Sequence, residues 1–550
     1  MRRDPHPISG AVYEEVGEGV VRVEDRQRGK SGLFRFDGTW LEGDLTHADP
    51  HMLYIIGGPD LPPGKDIFWT LLPPVEDSPM AKISTNPSRS GGESAAQRPR
   101  IVAPYVPDPG KQTEEGMRSA SHIPLDYFLE NDRHPERIPE IYKRSSPMPG
   151  GPRKVNTARY YKKEYHDLEV EKLWKKTWQM ACREDDIPEI GDYHVYKIAH
   201  LSYLIVRTGA NAFKAHVNAC LHRGRMLREC DGRKAGEFRC PYHGWSWKID
   251  GSLKELTTEW DFPGVRQDVS QLPGAKVATW GGFVFINPDP DAISLEEHMG
   301  PEMIAHYQKA KLESRYKHAH VIRVVRANWK VVMEGFLEAY HSIATHPQLL
   351  LSGGDLADTR YDVFGNWGRL GHVNVSAASP QRGIFPSKEQ ALDAYHNMAD
   401  FNREYLRGLI GDAVEQYSDA ELNEQTFNNL FPNFSPWGGW ARIVYRFRPN
   451  GDNPEECLME AMLLAPWPEG KPKPPPAKTR FLGPDETWTH APELGTLAKI
   501  FDQDCGNLPS VQLGLKTKQP DYVWYSAYQE SIIRNFHRNY ERALGLSEND

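Results

Sequence analysis

Cys220-Leu-His222 is followed, after 17 residues, by Cys240-Pro-Tyr-His243, and no other feature of the 550-residue chain constrains its fold so sharply. Each segment offers one thiolate and one imidazole in a strand-and-turn context, with a glycine close behind (Gly224, Gly244). Two interleaved Cys/His pairs suit a [2Fe–2S] cluster in which two His replace two Cys on one iron. The glycines let backbone N–H groups approach bridging sulfides that side chains would obstruct. A structural zinc site is the competing reading, but there the cysteines usually pair in one segment and the histidines in the other.

A second set of donors follows. Residues 328–347, NWKVVMEGFLEAYHSIATHP, read as one helix capped by Asn328 and ending before Pro347. Val332, Phe336, Tyr340 and Ile343 form its apolar stripe, with Tyr340 read as packing, while Glu334, Glu338, His341 and Thr345 share another face. His346 lies five residues beyond His341, so both imidazoles reach one metal only if the helix widens or frays near Pro347. Taken alone, such a face is more often polar surface. Two His and one carboxylate, however, make the facial triad of non-haem Fe(II) oxygenases. IFDQDCGNLPSVQLGL, at 500–515, supplies Asp502 and Asp504 in what reads as a polar loop.

LHRG after the first cysteine and CPYHGWSWKIDGSLK around the second pair resemble the Rieske non-haem iron aromatic ring-hydroxylating oxygenases, alpha (large, catalytic) subunit. The other Rieske class, the respiratory and photosynthetic complexes, carries an extra cysteine in each loop, where this chain has Arg225 and Tyr242. The resemblance covers about residues 157–550, including NLFPNFSPW at 429–437. It implies an α+β fold: an antiparallel β Rieske [2Fe–2S] domain plus a helix-grip (START-like) catalytic domain. It assigns Cys220, His222, Cys240 and His243 to the cluster and His341 and His346 to a mononuclear Fe(II). In the family an aspartate ligand precedes a glutamine by eight residues, which fits Asp504 and Gln512 and leaves Asp502 in reserve. Glu338 occupies the place of the acidic residue that bridges the first iron histidine to the cluster of a neighbouring subunit, where aspartate is usual. Gly335 replaces a common asparagine. The resemblance also implies O2 and a hydrophobic cyclic, aromatic or polycyclic, substrate to be cis-dihydroxylated or monohydroxylated. A ferredoxin or flavin reductase would donate electrons to a homotrimer, with or without a small beta subunit. Residues 347–380 are expected to line the substrate pocket. A Rieske electron carrier and an O-demethylating monooxygenase are the alternatives.

The chain divides into a β-rich extension (1–75), an irregular linker or arm (76–155), an entry helix with the Rieske domain (156–290) and the catalytic domain (291–550). GVVRV (19–23), GLFRF (32–36) and MLYII (52–56) read as strands of the extension, residues 160–181 as the entry helix, and 523–546 as the last helix. Much of the surplus of 46 Gly and 44 Pro falls in the first 155 residues. A mean hydropathy of −0.63, with no long apolar run, excludes a membrane-spanning chain. The net charge of −9 recommends no nucleic-acid partner. Six cysteines are too few for a secreted disulfide scaffold, so the expected location is cytoplasmic and Cys230, outside both pairs, is expected to be a small buried side chain.

Overall fold

The computed structural model describes residues 3–5, 10–17, 19–36, 39–48, 52–53, 56, 123–147, 151–346, 359–372, 386–467 and 470–547. Strands β1 (Arg3–Pro5), β2 (Val12–Gly17), β3 (Val20–Asp25), β4 (Lys30–Arg35) and β5 (Trp40–Gly43) pair in sequence order as one antiparallel sheet. Alternation along β3 turns Val21 and Val23 inward, where they meet Tyr13 and Phe34. Met52, Leu53 and Ile56 close this core as helical residues, not as the expected strand. A run that is buried without alternation fits a helix as well as a strand. Residues 57–122, most of the expected linker, lie outside the described residues.

After them, α1 (Leu125–Glu130) and α2 (Glu140–Lys143) pack on the C-terminal half of the chain. The Arg133 guanidinium pairs with Asp419, and the Ser146 backbone N–H donates to Asp362 at 2.8 Å. β6 (Arg153–Asn156) leads into α3 (Lys163–Glu169) and a π-turn over Val170–Trp174. The entry helix therefore ends before its expected limit near residue 181. Gln179–Arg183 is instead β7, buried throughout and paired with the strand Phe283–Asn287.

The Rieske half contains β8 (Tyr193–Ile198), β9 (Leu201–Gly209), β10 (Ala212–Val217), β11 (Glu237–Arg239), β12 (Ser246–Lys248), β13 (Leu253–Glu255), β14 (Gly274–Trp280) and β15 (Phe283–Asn287). One six-stranded antiparallel sheet has the order β7-β15-β14-β10-β9-β8, and a second sheet is β11-β12-β13.

The catalytic half begins with α4 (Leu295–Tyr307), two helical stretches joined at Gly300-Pro301 and started by a Ser294/Glu297 capping box. Then come β16 (Tyr316–Val325), α5 (Trp329–Glu334), α6 (Ser342–Thr345), β17 (Arg360–Phe364), β18 (Trp367–His372), α7 (Lys388–Ile410), β19 (Gln425–Leu430), β20 (Phe434–Pro436), β21 (Ile443–Asn450), β22 (Asn453–Ala465), β23 (Arg480–Leu482), α8 (Leu497–Thr517), β24 (Tyr522–Tyr525) and α9 (Ser531–Leu544). Eight strands form one sheet in the order β17-β18-β19-β20-β21-β22-β16-β23, antiparallel except at β16–β23. Helices α5, α8 and α9 contribute to the large core against it, an α+β helix-grip arrangement. The expected last helix is in fact β24, paired with β6, followed by α9. No helix among the described residues is long and apolar enough to cross a membrane.

A buried ion cluster ties the two halves together. Glu460 of β22 accepts from Arg446 at 2.5 and 2.8 Å and from His320 at 2.6 Å. Arg446 also donates to the Met180 and Ala181 carbonyls of β7 at 2.6 and 2.7 Å. Glu460→Ala would strand this guanidinium in a dry core, a loss of about 3–5 kcal/mol. Chemical denaturation followed by tryptophan fluorescence should show a clearly lowered midpoint, and an unchanged midpoint would contradict the role assigned to the cluster.

Candidate metal centres

The two Cys/His segments form adjoining loops at one end of the Rieske half. Cys220 and Cys240 are buried, and each backbone folds back on itself: Gly224 N–H donates to the Cys220 carbonyl at 2.9 Å and Gly244 N–H to that of Cys240 at 3.1 Å. Gly224 and Gly244 hold φ of +75° and +82°, a left-handed turn that glycine adopts without strain. The imidazoles face each other with Nδ1 atoms 3.1 Å apart. His222 stacks on Trp245 at 4.7 Å, and Phe262 packs edge-on against both rings. Two buried thiols and two facing imidazoles are the donor set a Rieske cluster requires. Both rings are half-buried, and the neighbouring Tyr242 is 56% exposed, so the imidazole edge is the side nearest solvent. Cys230 is exposed, contrary to the expected burial.

The second constellation is not carried on one helix. α5 stops at Glu334, and Gly335, a poor helix former, opens a turn that runs to the short helix α6. His341 and His346 flank that one-turn helix, and His346 leaves helical conformation at φ −127° and ψ 54°, the fraying that a spacing of five requires. The turn is pinned where the Glu338 carboxylate accepts from the His341 N–H at 2.9 Å and the Ala339 N–H donates to Tyr361 Oη at 3.1 Å. Tyr340, read as packing, is 56% exposed because the helix that would have buried it has ended. Asp504 lies on α8 and not in a loop; the helix continues through Pro509.

These three elements converge. His346 Nε2 lies 2.6 Å and His341 Nε2 3.3 Å from one oxygen of Asp504, and one donor atom from each residue lies within 4.8 Å of the others. The far side of each ring is already engaged. His341 Nδ1–H donates to Glu338 at 2.6 Å, and His346 Nδ1–H donates to Gln503 Oε1 at 2.8 Å. Those partners leave both Nε2 lone pairs for a metal, as outer hydrogen bonds on ligating histidines do. Burial disfavours charge on His341, yet Asp504 and Glu338 outweigh it and carry its pKa up to about 10. Burial likewise opposes ionisation of Asp504, but the imidazoles prevail and hold its carboxyl below the usual range. Such a site favours a cation, and its donors fit the facial triad of Fe(II). Asp502, the reserve, is instead turned away to accept from the Trp488 and Thr489 N–H groups at 2.7 and 3.2 Å.

A cavity of about 680 Å³ adjoins the triad, with Glu334, Glu338, His341, Asp504, Tyr525 and Glu530 among its walls. On the sheet, Phe427 and Trp437 lie 3.8 Å apart, and Tyr445 packs against Phe336 and Phe501. Tyr445 thus meets α8 at Phe501, three residues before Asp504, and burial and the charge of Asp504 push its phenol up. Of the expected lining at 347–380, residues 347–358 and 373–380 lie outside the described residues. The rest is the β17–β18 hairpin. Sequence reasoning missed Gln503, Glu530 and the partners of Glu334, namely Tyr160, Tyr525 and His537. Gln503 sits beside Asp504, yet nothing in its spacing marks it. The others come from distant segments with no motif of their own.

Two family models match the chain: the Rieske [2Fe–2S] domain over residues 177–265 and the ring hydroxylating alpha subunit (catalytic domain) over residues 308–546. The carnitine monooxygenase oxygenase subunit of Escherichia coli is 27% identical over 291 residues, covering 50% of this chain and 74% of that protein. The anthranilate 1,2-dioxygenase large subunit of Acinetobacter baylyi is 31% identical over 192 residues, covering 33% and 40%. Among solved structures, a quaternary ammonium Rieske monooxygenase in complex with L-carnitine superposes with a TM-score of 0.52 at 18% identity, covering 71% of this chain and 95% of that one. At that identity the match speaks for the fold alone.

Proposed function

The chain belongs to the alpha subunits of the Rieske non-haem iron ring-hydroxylating oxygenases, and on that premise we propose how its residues divide the work. It is an oxidoreductase that incorporates O2, with a [2Fe–2S] cluster and a mononuclear iron. In our reading Cys220, His222, Cys240 and His243 hold the cluster, and His341, His346 and Asp504 hold the iron. The observation that carries this reading is the convergence of two Nε2 atoms and a carboxylate oxygen, with both Nδ1–H groups anchored elsewhere. Iron held on one face by these groups supplies a redox centre with open positions for O2 beside a substrate.

Glu338 and Gln503 fix the tautomers and orientations of the two rings. No residue of the two cluster loops lines the cavity in the same chain. This supports a head-to-tail homotrimer in which one copy's cluster serves its neighbour's iron through Glu338. A ferredoxin or flavin reductase reduces the cluster.

For the substrate, Tyr445, whose phenol feels the charge of Asp504, continues through Trp437 to Phe427 as an aromatic group that suits either a methylated ammonium group or a neutral ring. A quaternary ammonium substrate, oxygenated by one atom, is placed first because the carnitine relative spans half the chain. Oxidative demethylation is the same class of reaction. Hydroxylation of a hydrophobic cyclic substrate is the second reading, supported by the anthranilate dioxygenase relative. Turnover with surrogate ferredoxin and reductase under ¹⁸O2 discriminates them when carnitine, glycine betaine, biphenyl and naphthalene are compared. The first reading expects one labelled atom in the oxidation product of a methylated ammonium compound. A doubly labelled cis-diol from an arene favours the second. Absence of label in every product would overturn the oxygenase proposal itself.

A further inference from the structure

Four carboxylates face the cavity beside the triad, and they are not equivalent. Asp504 and Glu338 are engaged with the histidines. Glu334, at the end of α5, is buried and accepts from Tyr525 Oη at 2.6 Å, from Tyr160 Oη at 3.1 Å and from His537 Nε2 at 2.9 Å. Arg159 donates to His537 Nδ1 at 3.5 Å, so the single proton of that buried, neutral imidazole sits on Nε2, facing Glu334. Three donors converge on Glu334. Glu530, at the start of α9, is held within its own turn of chain: its carboxylate accepts from the Ser526 backbone N–H at 2.6 Å, and the Ser526 side chain assists. Its hydrogen bonds are local, whereas those of the other three reach imidazoles.

From this asymmetry we propose that Glu530 is the residue through which protons consumed in the reaction enter the metal cavity. The inference rests on the oxygenase reading and holds for either substrate class. Hydroxylation of R–H consumes O2, two electrons and two protons and gives R–OH and water; cis-dihydroxylation consumes the same electrons and protons and places both oxygens in the product. The electrons come from the ferredoxin or reductase, and the protons must cross a buried region whose other carboxylates are each engaged with an imidazole. Burial and the charges of Glu338 and Glu334 push the Glu530 pKa up to about 7, against the N-terminal dipole of α9. The groups that act on Glu530 are Glu334 and Glu338 from the metal segment, Tyr361 from β17 and Ser526 from its own stretch of chain. Arg534 donates to the Ala527 carbonyl at 2.5 Å. Tyr361 and Tyr525 stay protonated, burial pushing both phenols well above their usual range. They can conduct a proton but not store one.

Glu530→Gln and Glu530→Asp, each loaded with both metal centres as verified by iron content and the cluster's absorption, provide the test. In the parent enzyme kcat should fall as pH rises through about 7, where Glu530 loses its proton. The Gln variant should lose that ionisation and run at least about tenfold slower at pH 6. That is less than the 10²–10⁴ of a group acting directly on the reacting atoms, because cavity water substitutes in part. The same variant should release more hydrogen peroxide per O2 consumed, and Asp should restore the ionisation. A Gln variant that keeps the ionisation and the rate overturns the proposal, as does an Asp variant that behaves like Gln. A parent enzyme that labels no product would instead defeat the oxygenase reading, so the two failures are distinguishable.

Discussion

His346→Ala is expected to lower turnover by at least about a hundredfold, beyond the 10–100-fold typical of a ligand's outer partners, while the cluster keeps its absorption spectrum. His346 is buried and supplies the shorter of the two histidine contacts to Asp504, at 2.6 Å against 3.3 Å. With it removed, two donors remain on a site designed for three. Iron analysis should fall from about three atoms per chain to about two, the two of the cluster. Retention of the third iron together with full activity would refute the site. The result also separates an oxygenase from a pure electron carrier, which has no use for a second ligand set.

The second large effect is expected at Glu338. Glu338→Gln preserves size but removes the charge that accepts from His341 Nδ1 at 2.6 Å. If Glu338 also bridges to the neighbouring copy's cluster, two functions fail together: orientation of the ligand and passage of the electron. Turnover should drop about 10–100-fold. Cluster reduction by the donor should be unchanged, but its reoxidation on mixing with O2 and substrate should slow in stopped flow. A slow turnover with normal reoxidation would confine Glu338 to holding His341. Glu338→Asp is the informative companion, because the shorter side chain restores charge without restoring reach.

How much of this could be read from the chain alone follows from the range of each interaction. Both cluster segments are local, so the proposed ligands Cys220, His222, Cys240 and His243 can be read from spacing. His341 and Asp504 are 163 positions apart, and only the resemblance joined them. The apolar stripe of 328–347 is consistent with one helix, whereas the turn after Glu334 is held by the local contact of Glu338 with the His341 N–H and by Tyr361, 22 positions from the Ala339 N–H it meets. Asp504 was expected in a loop because polar residues, Gly506 and Pro509 outweighed Leu508 and Leu515, which pack on the core. The MLYII run shows the reverse error, since an apolar run is silent on helix versus strand. Glu530 gave no signal at all; its significance depends on which carboxylates share its cavity.

The most direct test of a two-centre oxygenase is a single turnover. The chain is reduced beforehand, freed of ferredoxin and reductase, and mixed with substrate under ¹⁸O2. Oxidation of the cluster should then accompany formation of labelled product, in an amount limited by the stored electrons, and His346→Ala should form none. Labelled product from that variant, or cluster oxidation by the parent with no labelled product from any substrate tried, would contradict the assignment of oxygen chemistry to His341, His346 and Asp504.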